Sequence, residues 1–256
     1  MTNSLYTPIK ELGQNFLTDS ESAFKMVNAL DLLQDDVVVE IGPGLGVLTQ
    51  ELANKLMSPK AHIYAVEIDN RFVDKLSNMF LTNDTVEIVE ANALDWLSTF
   101  KHPDTRSLKV LGSLPYYITS PILHKIIEMP VQPALCVLLV QKEVAQRICN
   151  KAPDATYLSV FTQTFFDVTY LGKVDKSKFS PAPSVDGGII KLQKKTSSIT
   201  SEQLRKYSGF LHKGFSNPRK MLNKVFTKEE LAKVNINSSL RAQDIEVDKW
   251  VELFTR

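Results

Sequence analysis

Apolar residues over the first three quarters of the chain fall in short continuous runs, separated by stretches with helical spacing. Val37-Val38-Val39-Glu40-Ile41 is a β-branched run of the kind expected in a strand buried on both faces of a parallel sheet. Residues 63–66, 86–89, 110–111 and 134–140 repeat that pattern. Between them, Phe72, Leu76 and Met79 lie in helical register, as do Ile122, Leu123, Ile126 and Ile127. Asp19 or Ser20 is placed to cap an earlier helix to about residue 30, with Phe24, Val27 and Leu30 on one stripe. Further helices are predicted from Val47 to about residue 56, from Gln141 to about Cys149, and over residues 157–166, where aromatics are frequent. Residues 168–174 and 188–192 read as a closing antiparallel pair of strands. Strand and helix in alternation predict an α/β fold with a doubly wound sheet, its ligand bound at the carboxyl ends of the strands.

After the polar stretch Lys194-Lys195-Thr196-Ser197-Ser198 the pattern turns purely helical. Leu204, Tyr207 and Leu211 are followed by Met221, Leu222, Val225 and Phe226, then Leu231, then Trp250, Val251, Leu253 and Phe254. The sequence therefore divides into residues 1–195 and a small all-helical domain at 196–256. A length of 256 residues suits one large α/β domain with such an appendage.

Bulk charge adds little, since the formal net charge is +1. Its distribution adds more. Residues 205–228 hold seven Lys or Arg and no Asp or Glu, and include Lys213, Arg219, Lys220 and Lys224. Basic residues gathered on a helical appendage are the expected footprint of contact with a nucleic-acid backbone. A solvated helix face is the plainer alternative. Two cysteines, Cys136 and Cys149, are too few for a disulfide scaffold, and reduced thiols in a cytoplasmic protein are expected. The four histidines are scattered and no metal-ligand spacing is present, so no metal is expected. The sequence shows no cationic-then-apolar leader and no apolar run near ~20 residues, so neither a signal peptide nor a membrane span is expected.

Candidate chemistry collects at the predicted strand ends. The first strand runs into Gly42-Pro43-Gly44-Leu45-Gly46 and then a helix, a context in which glycines let a ligand approach the backbone. The spacing is G-x-G-x-G, not the dinucleotide G-x-G-x-x-G. Glu40, a charge at the end of a buried strand, suggests either a salt bridge or a contact near a cationic ligand. Glu67 ends the second strand and is placed to accept from two ribose hydroxyls. Asn92 ends the third, where an amide can read an adenine edge. The fourth delivers Ser113-Leu114-Pro115-Tyr116: a polar acceptor, carbonyls, a rigid Pro and an aromatic face, able to grip a planar amine. A Pro turn with core tyrosines is the alternative. Phe179 stands at the edge of a stiff Pro-x-Pro loop, and Gly13-Gln14-Asn15-Phe16-Leu17 reads as an arm that either pins the N-terminus or closes over a ligand. A nicotinamide dinucleotide and S-adenosylmethionine both fit this outline. The glycine spacing, Glu40 and the amine-gripping turn favour S-adenosylmethionine.

Six ordered motifs carry a resemblance: Gly13-Gln14-Asn15-Phe16-Leu17, Glu40-Ile41-Gly42-Pro43-Gly44-Leu45-Gly46, Ser113-Leu114-Pro115-Tyr116, Gln141-Lys142-Glu143, Phe179-x-Pro-x-Pro-x-Val-Asp, and Phe215-Ser216-Asn217-Pro218-Arg219-Lys220. Together they resemble the ribosomal RNA adenine dimethyltransferases, over nearly the whole chain. The resemblance implies a Rossmann-like class I methyltransferase sheet with S-adenosylmethionine as cofactor. It implies dimethylation of two adjacent adenines near the 3′ end of small-subunit rRNA, in the immature 30S subunit, by a monomer. The macrolide-resistance methylases of large-subunit rRNA share the motifs and are the alternative, with a non-catalytic ribosome-assembly factor as a third. By resemblance, Asn15, Leu17, Glu40, Gly42, Gly44, Gly46, Glu67, Asn92 and Ser113 would serve the cofactor. Ser113, Leu114, Pro115, Tyr116 and Phe179 would hold the target base, and Lys213, Arg219, Lys220 and Lys224 the RNA. Two positions depart from the family's pattern: Ser113 stands where Asn is usual, and Asn92 where Asp is usual.

Overall fold

The computed structural model describes residues 7–9, 12–102 and 105–256, apart from the Tyr116 side chain. By its internal contacts the chain divides into two compact units, Met1–Lys142 with Tyr170–Leu192, and Glu143–Thr169 with Gln193–Arg256. The second unit thus takes in residues 143–169 as well as the C-terminal helices.

In chain order the elements are β1 (Phe16–Leu17), α1 (Ser20–Asn28), β2 (Val37–Ile41), α2 (Val47–Lys55), β3 (His62–Glu67), α3 (Asn70–Met79), β4 (Val86–Glu90), α4 (Ala93–Thr99), β5 (Leu108–Ser113), α5 (Thr119–Glu128), β6 (Leu135–Gln141), α6 (Lys142–Cys149), α7 (Tyr157–Phe165), β7 (Phe166–Val174), β8 (Phe179–Ser180), β9 (Gly187–Lys194), α8 (Leu204–Phe215), α9 (Lys228–Lys233) and α10 (Val247–Thr255). A seven-stranded sheet has the order β4-β3-β2-β5-β6-β9-β7. The ladders β2·β3, β3·β4, β2·β5 and β5·β6 are parallel. Within this sheet the path begins at β2, winds outward to β4, and returns to β2's other side as β5. Between β2 and β5 the winding reverses, and a doubly wound sheet opens its crevice at the carboxyl ends beside such a reversal.

The continuous apolar runs became the central strands. Every residue of β2 is buried, and β6 is buried up to its final Gln141. β5 is longer than its apolar run because Lys109 interrupts the pattern without leaving the core: its ammonium lies 2.7 Å from buried Asp36. Asp19 caps α1, accepting from the Ser22 backbone.

A second sheet pairs β1 with β8 antiparallel, Phe16 opposite Ser180 and Leu17 opposite Phe179. Thr18 extends the pairing by donating its amide to the Lys178 carbonyl at 2.9 Å, and the Asp19 carboxylate meets the Lys178 ammonium at 2.6 Å. Leu17 and Phe179 belong to the main apolar core with Met26, Leu30, Leu52 and Leu139, so burial fixes this short ladder.

The second unit is built on aromatic packing. Trp250 and Tyr207 are fully buried, and Phe210, Phe226 and Phe215 surround the indole. A Cβ on Gly214 would lie 2.5 Å from the Trp250 ring, so only glycine lets α8 approach α10 this closely. Thr156 and Thr227 close capping boxes on α7 and α9. Among the described residues no helix is long and apolar enough to cross a membrane.

Candidate active site

The carboxyl ends of β2, β3, β4 and β5 are drawn to one level by hydrogen bonds that run past the strands. Gly42 donates to the Val66 carbonyl at 3.0 Å, Ala91 to Glu67 at 2.9 Å, and Leu114 to Leu139 at 2.9 Å. A crevice of about 1300 Å³, its open mouth included, lies over them. It collects Asn15 and Leu17 from the arm, Gly42 and Gly44 from the turn after β2, Glu67 from β3 and Asn92 from the turn after β4. Ser113, Leu114 and Pro115 at the end of β5, and Phe179 from β8, line it as well.

Glu67 is held rigidly. One carboxylate oxygen accepts from the Gly44 amide at 3.0 Å, and the other from the amides of Ile68 and Asp69 at 2.9 and 3.0 Å. Burial pushes its carboxyl upward, and these three amides oppose the rise. The glycines of the turn have different tasks. A Cβ on Gly42 would meet nothing within 4 Å, so that position leaves the floor bare. A Cβ on Gly44 would lie 2.8 Å from the Phe16 ring, so its glycine lets the arm close down. Gly46 faces Leu76 of α3 and does not line the crevice.

Glu40 is also outside the lining. It is fully buried, neither oxygen makes a well-aligned hydrogen bond, and it does not line the crevice. Burial drives its carboxyl up to about 8; neighbouring Thr49 opposes the shift and the charge of Glu67 adds to it. The continuous apolar run that marked β2 as a central strand also implied this depth.

Asn92 caps α4, its side-chain carbonyl accepting from the Leu94 amide at 2.9 Å. Ser113 is half-buried at the end of β5. The Pro115 carbonyl already accepts from the Ile118 amide at 3.2 Å, which leaves the Leu114 carbonyl as the less committed of the two. Tyr116 begins the turn Tyr116–Ile118, and its side chain lies outside the described residues. Its neighbour Tyr117 lines the crevice and is 60% exposed. The Tyr117 ring and Pro115 back Gly13, where a Cβ would lie 3.0 Å from the ring. Phe179 is 6% exposed, pinned by its pairing with Leu17.

Sequence reasoning missed what latches the arm. The Gln14 amide donates to the Asp69 carboxylate at 2.6 Å, and its carbonyl accepts from the Ile9 amide at 2.7 Å. Arg71 grips the same carboxylate through two nitrogens, at 2.9 and 2.6 Å, and also bonds the Thr7 carbonyl at 3.0 Å. That guanidinium holds the Asp69 carboxyl below its ordinary range, so Gln14 bonds to a charge. Ile68, half exposed between Glu67 and Asp69, also lines the crevice. A lone apolar residue between two acids was the available signal.

In the second unit, Lys213, Arg219, Lys220 and Lys224 are all exposed. The Lys213 ammonium sits 5.0 Å from the centre of the Phe226 ring, a cation–π contact that orients it.

Comparison with known proteins agrees with this geometry. The chain is 34% identical over 250 residues to the ribosomal RNA small subunit methyltransferase A of Sulfurihydrogenibium sp., covering 96% of this chain and 95% of that protein. It is also 34% identical to the protein of the same name from Persephonella marina, covering 98% and 94%. Among solved structures, a dimethyladenosine transferase from Plasmodium falciparum aligns with a TM-score of 0.80 at 23% identity, covering 93% of this chain and 95% of that one. The 23S rRNA methyltransferase ErmE aligns with a TM-score of 0.73 at 24% identity, covering 94% and 98%. At such identities the two structures show a shared fold, the class I methyltransferase sheet. The family model described as ribosomal RNA adenine dimethylase matches residues 8–256, and the chain belongs to that family.

Proposed function

We propose that this protein dimethylates N6 of two adjacent adenines near the 3′ end of small-subunit rRNA, with S-adenosylmethionine as methyl donor. It would act as a cytoplasmic monomer on the immature 30S subunit. One observation carries the reading: the ends of four parallel strands bring Gly42, Glu67, Asn92 and the Ser113-Leu114-Pro115 turn into a single crevice. The names of the curated relatives support the small subunit as target.

The residues present fit the cofactor. A fixed carboxylate at Glu67, the bare floor at Gly42 and the apolar surface of Ile68 suit a ribose, a close-lying chain and an adenine ring. Glu67 would accept from the ribose hydroxyls, Asn92 would face the adenine edge, and Asn15 and Leu17 would cover the remainder. Glu40 would act only from beneath, through the floor. When bound, the cofactor supplies a methyl group on a sulfonium, and the sulfur keeps the electrons of the broken C–S bond.

The protein's part is positioning. An adenine stacked in a helix is out of reach, so the target base enters unpaired or flipped. Its exocyclic amine is a weak nucleophile because the lone pair is delocalised into the ring. Donating both N–H groups, to Ser113 Oγ and the Leu114 carbonyl, would localise that lone pair and aim it toward the cofactor side. Phe179, with Tyr116, would hold the ring faces, a contribution of about 1–3 kcal/mol per stacked base. After the first transfer the amine keeps one N–H, so one of the two acceptors loses its partner. The short Ser113 side chain leaves room for the methyl already present. The amine proton becomes acidic as the N–C bond forms and passes to solvent, so orientation and electrostatics suffice.

Isolated small and large subunits, each incubated with the protein and labelled S-adenosylmethionine, test the reading. Label is expected in adenines of small-subunit rRNA; its absence there overturns the proposal, and label in the large subunit alone redirects it. Ser113→Ala should lower kcat roughly tenfold to a hundredfold, the loss expected for one hydrogen bond that strengthens in the transition state. Cofactor affinity, measured by calorimetry, should fall much less, since Ser113 is one of several residues assigned to the cofactor. Unchanged turnover would remove Ser113 from its role.

A further inference from the structure

The second unit contains an aromatic stack that begins in the core and ends in solvent. Phe161 is buried, and the Tyr157 ring lies almost parallel to it, with centroids 5.8 Å and planes 10° apart. The His212 imidazole also stacks on Tyr157, at 3.8 Å and 20°. The Tyr157 hydroxyl is hydrogen-bonded to Ser208, one turn before His212 on α8, at 2.9 Å. Tyr157 is half-buried and His212 exposed. His212 is thus an exposed ring held by stacking on a half-buried one.

The helix beside it is bare. Gly209, three residues before His212, is exposed, and a Cβ there would meet nothing within 4 Å. Glycine inside a helix weakens it relative to alanine, so this position carries a cost that packing does not explain. At Gly214 of the same helix packing does explain it, since Trp250 fills the space. Arg205, Gly209 and His212 follow one another at spacings of four and three residues and so share one stripe of α8. That helix also carries Lys206 and Lys213, and no acidic residue.

We propose that this stripe is a nucleobase platform: an unpaired base of the RNA substrate stacks on His212, and its sugar-phosphate backbone crosses the bare surface at Gly209 toward Arg205. The inference rests on the reading of this protein as an rRNA methyltransferase and adds to it a contact site in the second unit. RNA is favoured over an aromatic segment of a protein because α8 carries Arg205, Lys206 and Lys213 and no acidic residue, and single-stranded RNA pairs stackable bases with phosphates.

Binding of the full-length protein to deproteinised small-subunit rRNA, titrated across salt concentrations, tests it. His212→Ala should weaken binding about five- to 150-fold with little change in the salt slope, because stacking releases few counterions. His212→Phe should restore most of the affinity, since a benzene ring can stack on Tyr157 in the same way. Gly209→Gln should raise the melting temperature by improving the helix, yet weaken RNA binding by covering the bare surface. Wild-type affinity in His212→Ala, or a His212→Phe variant as weak as His212→Ala, overturns the platform. So does a loss seen with whole subunits but not with deproteinised rRNA, which would place a ribosomal protein on the stripe. An Arg219→Ala, Lys220→Ala double variant serves as the control. If its salt slope equals that of the wild type, the basic run is not an RNA contact; failure of the methyltransferase reading would show instead as no label in small-subunit rRNA.

Discussion

Two side chains at the strand ends set most of the local chemistry. Asn92 spends its carbonyl on the Leu94 amide, so what it offers the crevice is chiefly a donor. An aspartate there could cap α4 with one oxygen and accept from an adenine amine with the other, both more strongly because of its charge. Asn92→Asp should therefore tighten S-adenosylmethionine binding about three- to tenfold by calorimetry; unchanged or weaker binding would show that Asn92 does not face the adenine amine. Glu40 makes a different kind of prediction. Its folded value of about 8 lies above the 4.5 of a free glutamate. Between those values the folded chain keeps a proton that the unfolded chain has released. The contribution to stability is thus complete below about pH 4.5, falls as the pH rises, and is gone above about 8. Glu40→Gln stays neutral throughout. Denaturation at about pH 5 and about pH 9 should show the wild type losing about 4 kcal/mol more than the variant across that interval. Parallel losses in the two proteins would mean that Glu40 is ionised in the fold.

The arm is the element whose behaviour follows most directly from its bonds. Its short strand β1 pairs with β8, with one further bond from Thr18, and its path across the crevice depends on Gln14 reaching the Asp69 carboxylate that Arg71 also grips. A hydrogen bond to a charged group contributes about 1.5–3 kcal/mol. Gln14→Ala should thus weaken cofactor binding roughly tenfold and expose the arm to limited proteolysis, while the melting temperature stays within a few degrees. Wild-type cofactor affinity in that variant would show the latch to be ornamental to the site. None of these partners could be read from the sequence, because β1 and β8 are too short to show periodicity and pair across most of the chain. The strands β2 and β6 could be read, because burial on both faces leaves an unbroken apolar run. β5 was underestimated because Lys109 looks like a boundary until Asp36 is seen beside it. The motif residues Gly42, Glu67, Asn92 and Ser113 were placed by strand order alone, whereas the depth of Glu40 and the lining role of Ile68 and Tyr117 needed coordinates.

On the scale of the whole molecule, composition conceals the division of labour. A net charge of +1 describes neither the crevice nor the basic run, and the seven cations of residues 205–228 are balanced by acids elsewhere. The grouping of residues 143–169 with the C-terminal helices was not legible either. Amphipathic spacing marks α6 and α7 as helices but does not say against which core they pack. Assigning cofactor chemistry to one unit and RNA contact to the other predicts that the two can be damaged separately. Replacing Lys213, Arg219, Lys220 and Lys224 together by Ala removes four exposed cations. Each phosphate contact contributes about 0.7 to the logarithmic salt slope on single strands and about 0.9 on duplexes, so the slope of rRNA binding should fall by about three. S-adenosylmethionine affinity should not change, because none of the four residues lines the crevice. Lys213 should contribute least of the four, since its ammonium already rests on the Phe226 ring and must leave that contact to reach a phosphate. A slope unchanged in the quadruple variant would show that rRNA is bound without this face. A loss of cofactor affinity in the same variant would show that the two tasks are not separable.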